Sequence, residues 1–246
     1  MYDPKGNGKD KSVDAVVFTE TEPPAHLQGI VHRYLELKTN VTLAEDYRFH
    51  ALPDACAYIV FDQQDATITG VSKLRATSEE FNLGRSFHFV NIRFLPGVWR
   101  DEVEPIAYGQ LNVAYAGNLP LVELNRDLSQ QSFDDMQDVL SGLVDRLVAD
   151  GLVARNPVTE TIFANLDEIH TVADMADLNN MSPRQLQRKL KSTTGFSPHD
   201  LLKVLRLQMA LNGGDIWSYA DQSHFIHSFR KATGYTPGKY AKKYDV

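Results

Sequence analysis

The sequence lacks several features that would each point to a particular class of protein. Its 246 residues include one cysteine, Cys56, so it cannot form an internal disulfide. No apolar run approaches the roughly 18 residues that a membrane-spanning helix needs, so no membrane partner is expected. The first residues, MYDPKGNGKDKS, lack the apolar stretch of a signal peptide. These absences predict a cytoplasmic protein in which Cys56 is a small buried side chain.

Motifs for catalysis, cofactors and metals are also missing. There is no glycine-rich phosphate loop and no GxSxG elbow, and the Pro-Asp-Ala sequence at 53–55 is typical of a turn. The histidines of the first hundred residues lack the close H-x-H spacing of a metal-binding cupin, and there are no cysteine pairs for zinc. The sequence therefore predicts no enzyme, no cofactor and no metal site.

The charge is divided unevenly along the chain. The net charge is −7, but the segment from Met181 to Val246 carries 11 lysines and arginines against 4 aspartates, a net charge of +7. The rest of the chain then carries −14. Such asymmetry indicates that the basic segment meets a polyanion, although a solvated charged face is the simpler alternative.

One phrase occurs twice in the basic segment. STTGFSPHDL and KATGYTPGKY are 39 residues apart when Gly195 is aligned with Gly234. Each copy ends a helix at a glycine suited to the left-handed conformation, and Ser-Pro or Thr-Pro then begins another helix. The repeat predicts two similar helical units, which are too few for a solenoid.

The first part of the chain is rich in strand-forming residues. VDAVVFTE, HRYLELKT, CAYIVFDQ, ATITGV and SFHFVNIRFL are short, β-branched or aromatic, and separated by turn residues. They predict an α+β fold that begins with a β-barrel, cupin-like or related, and continues with helices. The expected divisions are a flexible tail at 1–13, a β-rich domain at 14–128, a helical dimerisation or linker segment at 129–167 and a C-terminal helical domain at 168–246.

A helix over residues 132–150 is predicted by its cap and its apolar spacing. Ser132 with Asp135 forms a capping box, and Leu140 and Leu143 belong to an apolar face that recurs at intervals of three and four. That face spans only about two heptads, fewer than a coiled coil needs. It is either the seam of a homodimer or the side on which the helix packs against its own strands.

Two helices separated by a tight turn follow from Thr171. Thr171 caps VADMADL, NNMS is the turn, and PRQLQRKLKSTT is the second helix, with Ser182 and Gln185 as its capping box. Leu186 and Leu190 lie on the buried side of that second helix. Arginine pairs well with guanine and glutamine with adenine in the major groove, so the opposite side suits DNA reading. The simpler alternative is an amphipathic surface helix that carries these residues by chance.

These residues resemble a known family. MSPRQLQRKLK..TGFSP, LLKVLRLQMAL and YADQSHFIHSFRKATGYTP resemble the AraC-type DNA-binding domain, in which two helix-turn-helix units are joined by a linker helix. FHALPDACAYIVFD and HFVNIRFLPGVW resemble, more weakly, the sensory barrel of such regulators. The resemblance implies that residues 168–246 are an all-α double helix-turn-helix domain that binds DNA, with a linker helix at 198–211, and that the β-rich domain at 14–128 is sensory. It also implies DNA contact by Arg184, Gln185, Gln187, Arg188 and Lys191 in the first unit and by Gln222, Ser223, His224, His227 and Lys231 in the second.

The second unit departs from the family pattern. Only eight residues, GGDIWSYA, separate Asn212 from Asp221, whereas a supporting helix plus a turn needs about eleven, as the first unit shows. Trp217 and Tyr219 are expected to fill the space of the missing helix. The second recognition helix therefore lacks most of its usual brace.

Two functions follow from this resemblance. The first is a sequence-specific transcriptional regulator that binds double-stranded DNA and senses a small-molecule effector, with Tyr58, His88 and Arg93 as candidate pocket residues. A homodimer and contact with RNA polymerase belong to that interpretation. The alternative is a regulator-derived protein-interaction module with weakened DNA binding, and the shortened second unit favours it.

Overall fold

The computed structural model of the chain describes residues 2–72, 74–100, 108–110, 112–213 and 222–245, without the side chains of residues 222 and 224. The strands are β1 (Asn7–Asp10), β2 (Val16–Thr21), β3 (Val31–Thr39), β4 (Arg48–Ala51), β5 (Ala57–Asp62), β6 (Thr69–Val71), β7 (Glu79–Asn82), β8 (His88–Phe94) and β9 (Tyr244–Asp245). The helices are α1 (Leu121–Leu128), α2 (Phe133–Ala149), α3 (Pro157–Ala164), α4 (Val172–Leu178), α5 (Pro183–Thr194), α6 (Pro198–Leu211), α7 (Gln222–Thr233) and α8 (Pro237–Lys243), with 3₁₀ turns at Ala25–Leu27 and Leu166–Glu168.

A five-stranded antiparallel sheet contains all five strands that the sequence predicts. Its order is β2-β3-β8-β5-β6. In the central strand β8, Val90 and Ile92 pack with α1 and α2, whereas Phe89 packs on the opposite face with Leu37 and Val16. Both faces of β8 are therefore covered, as its largely apolar sequence predicts.

A second, four-stranded sheet joins the two ends of the chain. Its order is β7-β4-β1-β9. β1 pairs with β4 through Asn7 and Ala51, and with β9 through Lys9 and Asp245. In the described residues this sheet ends at β7 and β9, and neither edge pairs with a strand of the five-stranded sheet, so the two sheets do not close into one barrel. Over the described residues the prediction of one closed barrel is wrong, while the α+β order of sheets followed by helices is confirmed.

The predicted flexible tail at 1–13 is also wrong. Tyr2 is buried, and its ring stacks on that of Phe163 with 4.5 Å between the centroids. The main-chain amide of Lys5 donates to Oε1 of Gln208 at 2.7 Å. At Gly8 an added Cβ would collide with the hydroxyl of Tyr240 on α8, so glycine allows this close approach. The polar composition of the segment concealed its packing because these contacts are mostly made by the main chain and by one aromatic ring.

The leucine face of α2 packs on the strands of its own chain. The side chain of Ser132 accepts a hydrogen bond from the Asp135 amide and caps the helix, as predicted. Leu140 and Leu143 are 0% and 4% exposed and belong to the core that includes Tyr34 of β3, whose hydroxyl lies 2.8 Å from Oγ of Ser141. The prediction that these leucines form a dimer seam is therefore wrong, and the alternative of packing within the chain is confirmed.

Two further cores lie among the helices, and both include residues from the strand region. The first unites α3, α4, α5 and α6 with Tyr2 and Cys56, and the cysteine is buried as predicted. The second unites α6, α7 and α8 with Leu52. Elements on either side of the proposed boundary at 168 thus share two cores. The divisions between residues 128 and 129 and between residues 167 and 168 stay predictions.

Candidate nucleic-acid interface

The helices α4 and α5 form a helix-turn-helix whose ends are set by local hydrogen bonds. Thr171 and Asp174 complete a capping box on α4, and Ser182 and Gln185 complete one on α5. The turn between the helices passes through Asn180 at φ 52°, a left-handed conformation that asparagine tolerates. The predicted bounds of both helices are confirmed.

Burial divides α5 into two faces. Leu186 and Leu190 are fully buried in the core that includes Met175 of α4. The opposite face is exposed and lines a surface concavity of about 450 Å³. The residues that line it are Arg184, Gln187, Arg188, Lys191 and Ser192. The structure thus places four of the five predicted first-unit residues on one outward surface, three of them cationic.

Two predicted residues of α5 are engaged within the helix itself. Oε1 of Gln185 accepts hydrogen bonds from the amide and the hydroxyl of Ser182, both at 2.8 Å. Nζ of Lys191 donates to the carbonyl oxygen of Gly195 at 2.8 Å and so caps the end of the helix. Arg184, Gln187 and Arg188 are therefore the strongest candidates for contact with DNA.

The second predicted reading helix, α7, has a buried aromatic face and an exposed polar face. Phe225 and Phe229 are buried, with ring centroids 5.7 Å apart. Ser223, His227 and Lys231 are exposed, as the resemblance implies. Ile226 is 38% exposed on the same outward side. The side chains of Gln222 and His224, and the segment 214–221 with Trp217 and Tyr219, lie outside the described residues.

The strand region contains a cluster of buried ionisable groups that the sequence analysis did not predict as a unit. The Arg93 guanidinium is 2% exposed, donates from Nε to Nδ1 of His32 at 2.9 Å, and contacts both carboxylate oxygens of Glu20 at 3.3 Å. Because Nδ1 of His32 accepts, Nε2 carries the proton and faces the Asp3 carboxylate at 3.1 Å. Burial, assisted by the positive charge of Arg93, lowers the pKa of His32 to about 2.

Tyr58 stands directly opposite Arg93 in the pairing of β5 with β8. Its hydroxyl donates a short hydrogen bond to the carboxylate of Asp54. Burial raises the pKa of Asp54, and the bond from Tyr58 opposes that rise. Of the three candidate pocket residues, Tyr58 and Arg93 are together, whereas His88 bonds Glu36 at 2.9 Å elsewhere in the sheet. The alternation of side chains along β5 and β8 is readable in the sequence and could have placed Tyr58 and Arg93 on one face of the sheet. That they are directly side by side depends on the register between the two strands, which the sequence does not show.

Two other kinds of site are absent from the described residues. No group of three or more histidine, cysteine, aspartate or glutamate side chains in these ranges is arranged to hold a metal ion. None of the helices in the same ranges has the length and apolar character needed to cross a membrane.

Comparisons with known proteins give two likenesses. A family model described as a domain of unknown function, DUF6597, matches residues 19–103, which include β3 to β8. No curated protein matches the chain. Among solved structures, the chain is similar to a 1.65 Å structure of ToxT from Vibrio cholerae, with 11% identity, coverage of 94% of this chain and 98% of that chain, and a TM-score of 0.41. It is also similar to ToxT from Vibrio cholerae O395, with 12% identity, coverage of 93% and 97%, and a TM-score of 0.40.

Proposed function

We propose that the chain is a sequence-specific DNA-binding protein, a transcriptional regulator of the AraC type, in which α5 reads the major groove. The observation that carries the proposal is the outward face of α5. Arg184, Gln187 and Arg188 project there from a helix whose start is capped and whose opposite face is fixed in a core. An α-helix with its side chains is about 10–12 Å wide, and the major groove is about 12 Å wide.

The roles of the individual residues follow from their chemistry. Arg184 and Gln187 are one turn apart on α5 and suit bidentate contacts with guanine and adenine, each worth roughly 1–3 kcal/mol of discrimination. Arg188 and Lys191 lie farther along the helix and suit the phosphate backbone. The +7 charge of the segment from Met181 onward supplies attraction to DNA that does not depend on sequence.

The proposal also includes a small-molecule effector and protein partners. We propose that the strand region responds to a small-molecule effector near Tyr58 and Arg93, where buried charge would make a ligand's electrostatic effect large. The functional form would be a cytoplasmic homodimer joined through a surface other than the leucine face of α2. RNA polymerase would be a further partner, and no catalysis or cofactor is involved.

The test is selection from a pool of random duplexes by the full-length chain at 100 mM salt. A recovered consensus sequence is expected. Arg184→Ala and Gln187→Ala should each weaken binding to it by about 1–3 kcal/mol and relax preference at one position. Lys203→Ala is the matched control, because Lys203 is an exposed cation on α6 that pairs with Asp200 at 3.2 Å. Selection that recovers no consensus, or equal losses for all three variants, would exclude base reading by α5.

One observation favours the alternative function, a protein-interaction module with weakened DNA binding. Ile226 exposes 38% of its surface on the outward side of α7, where base reading would favour a polar residue. If the chain is such a module, the selection would recover no consensus. Its binding would be equally strong for all DNA sequences and would weaken as the salt concentration rises.

A further inference from the structure

The two reading helices differ in the elements that support them. α5 is supported by α4, whose Met175 and Ala176 are fully buried in the same core as Leu186 and Leu190. Between Asn212, which follows the linker helix, and Asp221 the sequence has only the eight residues 213–220, and they begin with two glycines. This interval is shorter in sequence than the eleven residues that α4 and its turn occupy in the first unit.

Residues of the strand region pack directly against α7 and α8. Leu52, which follows β4, is 2% exposed in the core that contains Phe225 and Phe229 of α7 and Tyr240 of α8. The main-chain amide of Ser78, just before β7, donates to the carbonyl oxygen at position 232 of α7 at 2.7 Å. The strand region therefore supplies both an apolar contact and a main-chain hydrogen bond to the second reading helix.

His50 of β4 makes the most specific of these contacts. Its ring is 3% exposed, and Nε2 lies 3.1 Å from the carbonyl oxygen of Thr233, the last residue of α7. A carbonyl oxygen only accepts, so Nε2 carries the proton and donates. Nδ1 then accepts from the hydroxyl of Tyr240 at 3.3 Å, and the ring stacks on Tyr244 with 5.0 Å between centroids. One neutral imidazole thus contacts α7, α8 and β9, and burial keeps it neutral by lowering the pKa of His50.

The pairing of β1 with β9 strengthens the same connection. Asp10 pairs with Tyr244, and the amide of Lys11 donates to the carbonyl oxygen of Lys243 at 3.0 Å. The end of α8 is therefore held by the sheet that contains β4, and α7 and α8 are tied to that sheet from two sides.

We propose that the four-stranded sheet is the brace of the second reading helix, and that His50 is the residue that positions α7. The inference rests on the proposed function, since α7 is a reading helix only if the chain binds DNA. It implies that contacts from His227 and Lys231 to DNA depend on the four-stranded sheet, whereas contacts from α5 depend on its packing with α4. Loss of the contacts that His50 makes with α7 and α8 would then alter one half of the bound DNA site and leave the other half unchanged.

The first test is hydrogen exchange on the full-length chain without DNA. His50→Ala removes both hydrogen bonds and leaves the Thr233 carbonyl without its donor. We expect amides of α7 and α8 to exchange about tenfold faster, with α4 and α5 unchanged. His50→Gln keeps an N–H that can donate to Thr233 and should restore most of the protection. His88→Ala is the matched control, because its ring bonds Glu36 within the five-stranded sheet.

The second test is hydroxyl-radical footprinting on a duplex selected by the wild-type chain. His50→Ala should keep protection over the part contacted by α5 and lose it over the part contacted by α7. The slope of log Kobs against log salt should fall by about one for each phosphate that α7 no longer neutralises. Unchanged amide hydrogen exchange in α7 would overturn the proposal that His50 positions this helix. An equal loss of footprint protection over both parts of the duplex would also overturn it. If the wild-type chain selects no DNA sequence, the proposed function fails. The hydrogen-exchange result still shows whether the four-stranded sheet supports α7.

A milder variant covers the case in which His50→Ala does not fold. Tyr240→Phe removes only the hydroxyl that donates to Nδ1 of His50 and leaves the aromatic ring in its core. We expect the same local pattern with a smaller change, roughly threefold faster exchange in α7 and α8. An equal increase across α4 to α8 would show general destabilisation and would overturn the proposal.

Discussion

The side-chain oxygen of Gln185 accepts two hydrogen bonds from Ser182, one from its amide and one from its hydroxyl, each at 2.8 Å. Ser182 Oγ in turn accepts from the Gln185 amide at 3.3 Å. The pair therefore closes the first turn of α5 and satisfies donors that the helix leaves open. Gln185 is part of the support of the reading helix, although the resemblance implies a DNA-contacting residue at this position.

Substitution of the two glutamines of α5 should distinguish the residue that stabilises the helix, Gln185, from the residue that contacts DNA bases, Gln187. Gln185→Ala breaks the capping box and is expected to lower the free energy of unfolding by about 1 kcal/mol. Gln187→Ala changes an exposed side chain and should leave stability within about 0.5 kcal/mol while it alters base preference. Urea unfolding and binding to selected duplexes measure the two effects. A loss of stability at Gln187 with none at Gln185 would contradict this division.

Leucine truncation in α2 should affect the fold rather than assembly. Leu140→Ala removes a fully buried side chain and should cost about 2–5 kcal/mol of unfolding free energy through the cavity that it leaves. Val148→Ala is the matched control on the same helix, since Val148 is 38% exposed and should cost under about 0.5 kcal/mol. Sedimentation at equal concentration should show the same oligomeric state for both variants and the wild type. If Leu140→Ala dissociated a dimer without lowering the free energy of unfolding, the leucine face of α2 would be a dimer interface after all.

The parts of the fold that were predictable are those defined by neighbouring residues. Caps and glycine stops lie within a few positions of the helices they bound, so the sequence predicts α4, α5 and α6 with the limits that the structure has. β1 and β9 are four and two residues long, and their pairing requires that the two ends of the chain meet. No local pattern encodes that meeting, so local patterns predict a flexible tail and a barrel instead.

In the candidate site, too, some features follow from neighbouring residues and others from contacts between distant parts of the chain. The outward position of Arg184, Gln187 and Arg188 follows from helical periodicity, which the sequence displays directly. The contacts of His50 with Thr233 and Tyr240 span more than 180 positions, and they depend on how a strand meets two helices. Such contacts follow from tertiary packing, so the support of α7 could not be inferred from the eight-residue interval alone.

Two glycines, each exposed and with space for a Cβ, should respond to alanine in opposite ways. Gly195 ends α5 at φ 71°, a left-handed conformation that costs alanine about 1 kcal/mol or more. Gly142 lies within α2, where alanine is the better helix former by about 0.5–1 kcal/mol. Gly195→Ala should therefore lower the melting temperature, and Gly142→Ala should raise it. Two changes of the same sign in thermal unfolding would contradict the assigned conformations.

Acid should destabilise the chain through His32 once the pH falls below about 6.5. Burial beside Arg93 lowers the pKa of His32 to about 2, against about 6.5 in the unfolded chain. Below pH 6.5 the unfolded chain therefore binds a proton that the folded chain does not. This group makes the unfolding free energy fall by up to about 1.4 kcal/mol for each pH unit. Urea unfolding between pH 7.5 and 5 should show this loss, to which His50 adds with the same sign because burial lowers its pKa too.

His32→Gln removes the titrating ring at that position, and an amide oxygen there can still accept from Nε of Arg93, a bond now 2.9 Å long. The variant should be less stable than the wild type at pH 7.5, yet lose less of its remaining stability on going to pH 5, by about 2 kcal/mol over the 1.5 units below 6.5. His199→Gln, an exposed imidazole on α6, controls for the loss of any histidine. If the His32→Gln and wild-type curves fall in parallel between pH 6.5 and 5, the buried neutral state of His32 is refuted.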